Sequence, residues 1–339
     1  MIWLTSDNAS AVHPVIWEAL SAVNAGYAKG YGGDDACQSA TAQIREVFEA
    51  PQAEVLFVTT GTAANALALA TLVQPWQSVL CHPTAHIQMD ECGAPEFYTS
   101  GAKLALVAGA DGRIEAAALE ALLCAQEHSV HMVQAGALSL TNVTEVGTVY
   151  SAAQTAQLCA IAKSHGLPVH LDGARLANAL AATGAAPADL THRAGVDVLS
   201  LGGTKNGLMN VEAVVLFDPS AHWQAQVRRK RAGQLASKGR YLGAQFDAAF
   251  TEARWLEWAR HANAMAARLD AGLRAREIAP AFAVEANIVF VDVDAAQVTR
   301  LEAAGVQAYG EPKGAGQRLR FVTSWSTTAS EIDAVLAAL

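Results

Sequence analysis

The chain predicts an α/β protein, with a mostly parallel sheet in a large domain and a smaller α+β domain at the C-terminal end. Two observations lead there. Short apolar runs alternate with Ala- and Leu-rich helical stretches through most of the sequence, the pattern of strands joined by helical crossovers. Past about residue 240 that alternation gives way to a long helical region and a separate group of strands. The expected division is therefore 1–243 and 244–339, in a chain of 339 residues, long enough to bury two cores.

Taken in order, Glu54–Thr59 reads as a short apolar strand and Ala63–Val73 as a helix. Ser78–Cys81 and Lys103–Val107 are further strands, as are His131–Gln134 and, close behind it, Ala137–Leu140. The clearest unit follows. A helix from Ser151 to His165 is stopped by Gly166, and Pro168 opens a strand that ends at Asp172. Asp197–Leu201 and Ala213–Phe217 are the next two strands. In the C-terminal part, one helical region runs from Ala244 to about Arg276 and leads to the strand Asn287–Val293. A helix, a short strand near Val306, the strand Arg318–Val322 and a terminal helix complete the series.

Composition narrows the function. With 52% hydrophobic and 16% charged residues the chain describes a compact soluble protein, and its net charge of −9 argues against nucleic acid or an acidic membrane as main partner. Basic residues cluster once, at Arg228–Arg231. No apolar run reaches the ~18 residues of a membrane span. The start, Met1-Ile2-Trp3-Leu4-Thr5-Ser6-Asp7, lacks the regions of a signal peptide, so a cytoplasmic location is expected. Five scattered cysteines without CxxC spacing read as reduced thiols, and no metal-binding motif stands out.

Ligands of open α/β sheets bind beyond the carboxyl ends of the strands, which places the loops after Thr59, Asp172 and Leu201 on one rim. Asp172 ends one apolar strand, and Lys205 lies just past the end of the next, within Gly202-Gly203-Thr204-Lys205. A lysine there can condense with an aldehyde, and an acid can keep a ring nitrogen protonated. Thr60-Gly61-Thr62 joins a strand to a helix start. It is either an anion site built from free amides or an ordinary βα turn with Thr62 as helix cap. His86 follows a strand and can stack on a flat cofactor or sit on the surface. Arg175, three residues past Asp172, either binds a carboxylate through its planar fork or braces the rim as an ion pair with Asp172.

In this order the sites resemble the threonine aldolase family, specifically its low-specificity L-threonine aldolases, which are fold-type I pyridoxal 5'-phosphate (PLP) enzymes. The likeness runs from Leu4-Thr5-Ser6-Asp7-Asn8 through Tyr31-Gly32, Thr60-Gly61-Thr62, Ala85-His86, Asp172-Gly173-Ala174-Arg175 and Thr204-Lys205 to Arg320-Phe321-Val322-Thr323-Ser324-Trp325. The resemblance implies an aspartate aminotransferase-like fold and PLP held covalently by Lys205. It further implies Asp172 at the pyridine nitrogen and His86 on the ring, with Gly61, Thr62 and Thr204 at the phosphate. Ser6, Tyr31, Arg175 and Arg320 would bind substrate, the first, third and fourth at its α-carboxylate. Lys230 and Lys238 would reach the neighbouring subunit's site in a homodimer or homotetramer.

The activity so implied is cleavage of L-threonine, L-allo-threonine and related L-β-hydroxy-α-amino acids, phenylserine among them, to glycine and an aldehyde. A β-eliminating lyase or an aminotransferase on the same scaffold is the alternative, since fold and cofactor do not choose among these reactions. A regulator with the same fold would usually add a DNA-binding domain, for which the chain has neither the length nor a basic patch. One departure from the family stands out. Many members carry a second histidine in the loop that reads Leu140-Thr141-Asn142-Val143-Thr144-Glu145 here. His86, Glu91 and an ordered water are the candidates for the base that takes the β-hydroxyl proton.

Overall fold

The computed structural model describes all residues from Met1 to Leu339. After β1 (Ile2–Trp3), the chain lays down β2 (Glu54–Val58), β3 (Gln77–Cys81), β4 (Lys103–Leu106) and β5 (Gln134–Thr141). Then come β6 (Val169–Gly173), β7 (Val198–Leu201) and β8 (Glu212–Leu216). The strands β2 to β8 form one seven-stranded sheet in the order β2-β8-β7-β6-β5-β3-β4. All its pairings are parallel except the two that β8 makes, with β2 and with β7. Because β8 runs against all its neighbours, its first residue, Glu212, lies at the rim where the other strands end. Every residue of β6, β7 and β8 is buried, which is why these strands read as near-continuous apolar runs without alternation.

The helix expected at Ala63–Val73 begins earlier, at Gly61, and ends at Leu72. Its cap is Thr60, not Thr62: the Ala63 amide donates to Thr60 Oγ1 at 3.1 Å. Residues 64–70 are all buried, so the helix packs on every side and shows no polar face. The two strands expected between His131 and Leu140 are one, Gln134–Thr141, and residues 131–133 lie outside it.

The long helical region is two helices, Arg240–Phe250 and Arg254–Arg274. Between them Glu252 and Ala253 adopt left-handed φ angles of 57° and 55°, a break that no Gly or Pro announces. The second helix serves two cores. Trp255, Trp258 and Ala259 join the large cluster around the seven-stranded sheet, whereas Ala266, Leu269 and Leu273 join a smaller one. That smaller cluster is built on β9 (Ile288–Val293), β10 (Val306–Gln307) and β12 (Gly316–Val322), with the terminal helix Ala329–Ala338; β11 (Tyr309–Lys313) lies outside it. The unexpected strand is β11. All five of its residues are exposed and one is Pro312, so it lacks any apolar signal; it forms an edge hairpin with β12.

The N-terminal residues belong to the small core. Ile2 and Leu4 are part of it, and β1 pairs in parallel with β10. Leu4 O also accepts the Val322 amide at 2.9 Å.

One buried group inside the large sheet predicts a pH response. His170 on β6 is held between Ser139 on β5 and Ser200 on β7, at 2.9 Å from each hydroxyl. Burial pushes its pKa down to about 4. The unfolded chain takes up that proton near pH 6.5, so between the two values the unfolded state binds more protons and acid favours it. Stability is fully present above pH 6.5 and falls by roughly 3 kcal/mol by pH 4. Urea midpoints at pH 7 and pH 5 check this; an equal pH slope in His170→Gln would refute it.

Candidate active site

Four loops meet at the carboxyl rim of the sheet. At the end of β6, Asp172 is 3% exposed and accepts two hydrogen bonds, from the Ala174 amide at 3.0 Å and from Asn65 Nδ2 at 2.9 Å. The same Asn65 nitrogen donates to Glu91 Oε1 at 2.8 Å, and that oxygen lies 2.8 Å from His86 Nδ1. A continuous polar chain therefore runs from His86 through Glu91 and Asn65 to Asp172. The hydrogen bond that His86 makes to Glu91 raises the His86 pKa against the opposing effect of burial, and burial raises that of Glu91. Glu91, 4% exposed, thus bonds to His86 and Asn65, while its second oxygen is buried without a partner.

Lys205 lies in a 3-10 turn, Thr204–Asn206, after β7. The glycines before it permit close approach. A Cβ on Gly202 would stand 2.2 Å from the Ala174 carbonyl oxygen, and one on Gly203 would stand 2.4 Å from that of Val211. The Asp172 loop and the Lys205 turn are therefore packed backbone to backbone. Asn206 Nδ2 donates to the Trp255 carbonyl at 2.8 Å and anchors the far side of the turn.

Arg175 is 4% exposed, and its ion pair is not with Asp172. Its Nε and Nη2 bond to the two oxygens of Asp7 at 2.7 and 3.0 Å. Asn287 Nδ2 adds a bond to Asp7 at 3.2 Å, and the Ser6 hydroxyl donates to it at 3.3 Å. Burial works to raise the Asp7 pKa, but the Arg175 and Lys205 charges and the hydrogen bonds from Arg175 and Asn287 together outweigh it and leave the carboxyl below its usual value. Arg320, from β12, has no such partner. Its Nε is buried without an acceptor, and burial and the nearby Arg175 charge both lower its pKa. Of two neighbouring guanidiniums, one is neutralised and the other lacks an anion.

The helix that starts at Gly61 leaves the amides of Gly61 and Thr62 without a protein acceptor. A Cβ built on Gly61 meets nothing within 4 Å, so the approach is open. The Thr204 hydroxyl is also buried without a partner. Thr59, just before the turn, is tied through its amide and hydroxyl to Gln234 Oε1, at 3.0 and 2.9 Å. Free amides and an orphaned hydroxyl fit a phosphate, and a buried acid fits a protonated ring nitrogen, so these residues suit PLP.

Tyr31, Lys230 and Lys238 stand apart from this pocket, together on an exposed patch. Lys230 Nζ lies 5.3 Å from the centre of the Tyr31 ring, and the Tyr31 amide donates to the Ser237 carbonyl at 3.0 Å. Within the basic cluster, Arg229 is buried while Lys230 faces outward.

Asp7, Asn65, Asn287 and Glu212 are site residues that the sequence reading missed. Only Asn65 carried a signal, as the one polar side chain among the seven buried residues of an apolar helix.

A sheet rim with a buried acid, a lysine on the adjacent strand end and an open anion site defines a fold-type I, PLP-dependent enzyme. The chain belongs to the beta-eliminating lyase family, whose model matches residues 4–296, and within it to the threonine aldolases. It is 40% identical over 329 residues to a low specificity L-threonine aldolase of Pseudomonas aeruginosa, covering 96% of this chain and 94% of the relative. Against a second one, from Pseudomonas sp., identity is 38% over 330 residues, with the same coverage. A solved threonine aldolase from Leishmania major superposes with a TM-score of 0.94 at 31% identity, over 99% of this chain and 98% of that one. Serine palmitoyltransferase from Sphingomonas wittichii shares the fold at a TM-score of 0.74 and 16% identity, over 99% and 85% of the two chains. No helix is long and apolar enough to cross a membrane.

Proposed function

We infer that this protein is a PLP-dependent aldolase that splits L-threonine, L-allo-threonine and related L-β-hydroxy-α-amino acids, phenylserine included, into glycine and an aldehyde. The observation that carries this reading is the meeting of Asp172, Lys205 and the unpaired Arg320 at one rim, in a chain so similar to low specificity L-threonine aldolases. PLP, when bound, supplies an aldehyde that takes up amino groups and a ring that draws electrons from the bonds around the amino acid's Cα.

The chain's own residues are assigned as follows. Lys205 Nζ would hold the aldehyde. Asp172, fixed by Asn65 and the Ala174 amide, would keep the ring nitrogen protonated. The Gly61 and Thr62 amides with the Thr204 hydroxyl would take the phosphate. Arg320 would grip the substrate α-carboxylate beside Arg175 and Ser6 and so fix the orientation of the amino acid's Cα. Glu91 holds His86 at Nδ1, so His86 would face the cofactor with Nε2 available as the base for the β-hydroxyl proton. Glu91 then acts through His86 instead of on a water of its own.

Tyr31, Lys230 and Lys238, exposed on one patch, complete the neighbouring subunit's site in a homodimer or homotetramer. An active monomer by light scattering at assay concentration would overturn that assignment. The location proposed is cytoplasmic, and the chain divides near residue 243 into a PLP-binding part and a small part, with Ile2 and Leu4 packed in the small core and residues 246–259 reaching back into the large one.

The test is to incubate the PLP-loaded protein with L-threonine, L-allo-threonine and phenylserine. Glycine and the matching aldehyde are expected. The description of the matching family favours a second reading, β-elimination, which would release a keto acid and ammonia instead.

A further inference from the structure

A second carboxylate lies beneath Lys205 and has no part in the roles above. Glu212 opens β8, the one strand that enters the sheet at this rim, and it is buried in a strand whose other four residues are Ala, Val, Val and Leu. Its lateral neighbour on β2 is Val58, and the register that pairs Ala213 with Leu201 sets Glu212 beside Gly202. A carboxylate in such a place is costly unless it has partners. It has them. Its Oε2 accepts the Gly203 amide at 2.6 Å, Thr204 lies beside it, and Lys205 is the charged group that acts on it.

We propose that Glu212 is a positioning residue for Lys205: it holds the turn that carries the lysine, and its charge sets how readily the Lys205 amine gives up its proton. The proposal rests on the assignment of Lys205 as the cofactor lysine.

Three observations support it. The hydrogen bond lands on the amide two residues before Lys205, in a turn whose backbone is already immobilised by the close approach of Gly203 to Val211. Nothing about holding a turn requires an acid, since an amide or hydroxyl acceptor would avoid the cost of burying charge. Burial, opposed by Thr204, the Gly203 amide and Lys205, pushes the Glu212 pKa up to about 7, so that the carboxyl changes charge near neutral pH. While Glu212 is ionised, it favours the ammonium form of Lys205. Once it takes up a proton, that attraction is gone and the neutral amine is easier to form. Asp7 and His86 are the other charged groups that face Lys205, from the N-terminal segment and from the loop after β3.

The test uses the full-length protein freed of PLP. Competitive acetic anhydride labelling across pH 6–10, read on the Lys205 peptide by mass spectrometry, gives the midpoint of its deprotonation. Glu212→Gln keeps an acceptor for the Gly203 amide and removes the charge. Its midpoint should fall by about half a pH unit or more, a roughly three-fold rise in labelling below the midpoint. Its melting temperature should stay near that of the wild type, and Glu212→Asp should restore part of the midpoint. An unchanged midpoint with a lowered melting temperature would mean Glu212 is only structural, and the proposal fails. Should Glu212→Gln not fold, the wild-type curve decides. Two inflections, one near pH 7, support the coupling, and a single inflection refutes it. A pyridoxyl label on another lysine would sink the cofactor assignment while leaving the labelling shift intact, so the two failures are distinguishable.

Discussion

Lys205→Ala should bind PLP without a covalent bond and lose turnover by a factor on the order of a thousand or more, since no other amine is positioned to replace it. The purified wild-type protein should be yellow, and the variant should lack the corresponding absorbance. Borohydride reduction followed by peptide mapping should place the pyridoxyl group on Lys205 in the wild type. The turn that holds it is anchored on both sides, by Gly203 to Glu212 and by Asn206 to Trp255, so the substitution should leave the melting temperature of the PLP-free protein almost unchanged. A reduced label on Lys230 or Lys238 would sink the assignment.

Asp172→Ala should have two separable effects. The ring nitrogen loses its counter-charge, so turnover should fall by roughly a hundred-fold or more while some covalent PLP remains. Asn65 Nδ2 and the Ala174 amide also lose an acceptor in a buried setting, which should cost about 1–3 kcal/mol of stability. Asp172→Asn separates the two in part, because its one side-chain oxygen restores one of the two acceptors while the charge stays absent. Its stability should recover partly and its turnover should not. Wild-type turnover in either variant would count against PLP chemistry at this rim.

How much of this was legible beforehand depends on sequence distance and on chemical type. Asp172 and Lys205 were legible because each follows an apolar strand, and strand ends of a parallel sheet converge on one rim. Gly61 and Thr62 were legible for the same reason, although the cap proved to be Thr60. The partner of Arg175 was not. Local spacing suggests Asp172, three residues away, yet Asp7 takes the guanidinium across 168 residues of sequence. Glu91 was in view as a candidate base, but its bond to His86 depends on how the chain turns after the four-residue helix His86–Met89. Glu212 was hidden because it directly precedes an apolar run, where an acid reads as the polar edge of a strand.

The break at Thr251–Ala253 was illegible for a different reason. Helix breaks are signalled by glycine and proline, whereas here Glu252 and Ala253, both exposed, take the left-handed conformation without either. The hairpin strand β11 shows the opposite case: an edge strand facing water on both sides has no reason to carry apolar residues.

The pairing of β1 with β10, and of Asp7 with Asn287, has a consequence for how the chain is made. Residues synthesised early are completed by residues synthesised much later, since Asn287 follows Asp7 by 280 positions. At translation rates of 5–20 residues per second, the N-terminal segment waits on the order of tens of seconds for its partners. During that wait Ile2 and Leu4 have no core to enter, because the small core is made of residues 266 onward. The large sheet can assemble meanwhile, with the Asp172 and Lys205 loops already in contact. Asp7, however, which holds Arg175, gets its full set of partners only when Asn287 arrives. The pocket is thus the last part of the molecule to mature. A nascent chain halted before the small core has emerged would hold its sheet and its lysine but not a finished grip for the substrate's carboxylate.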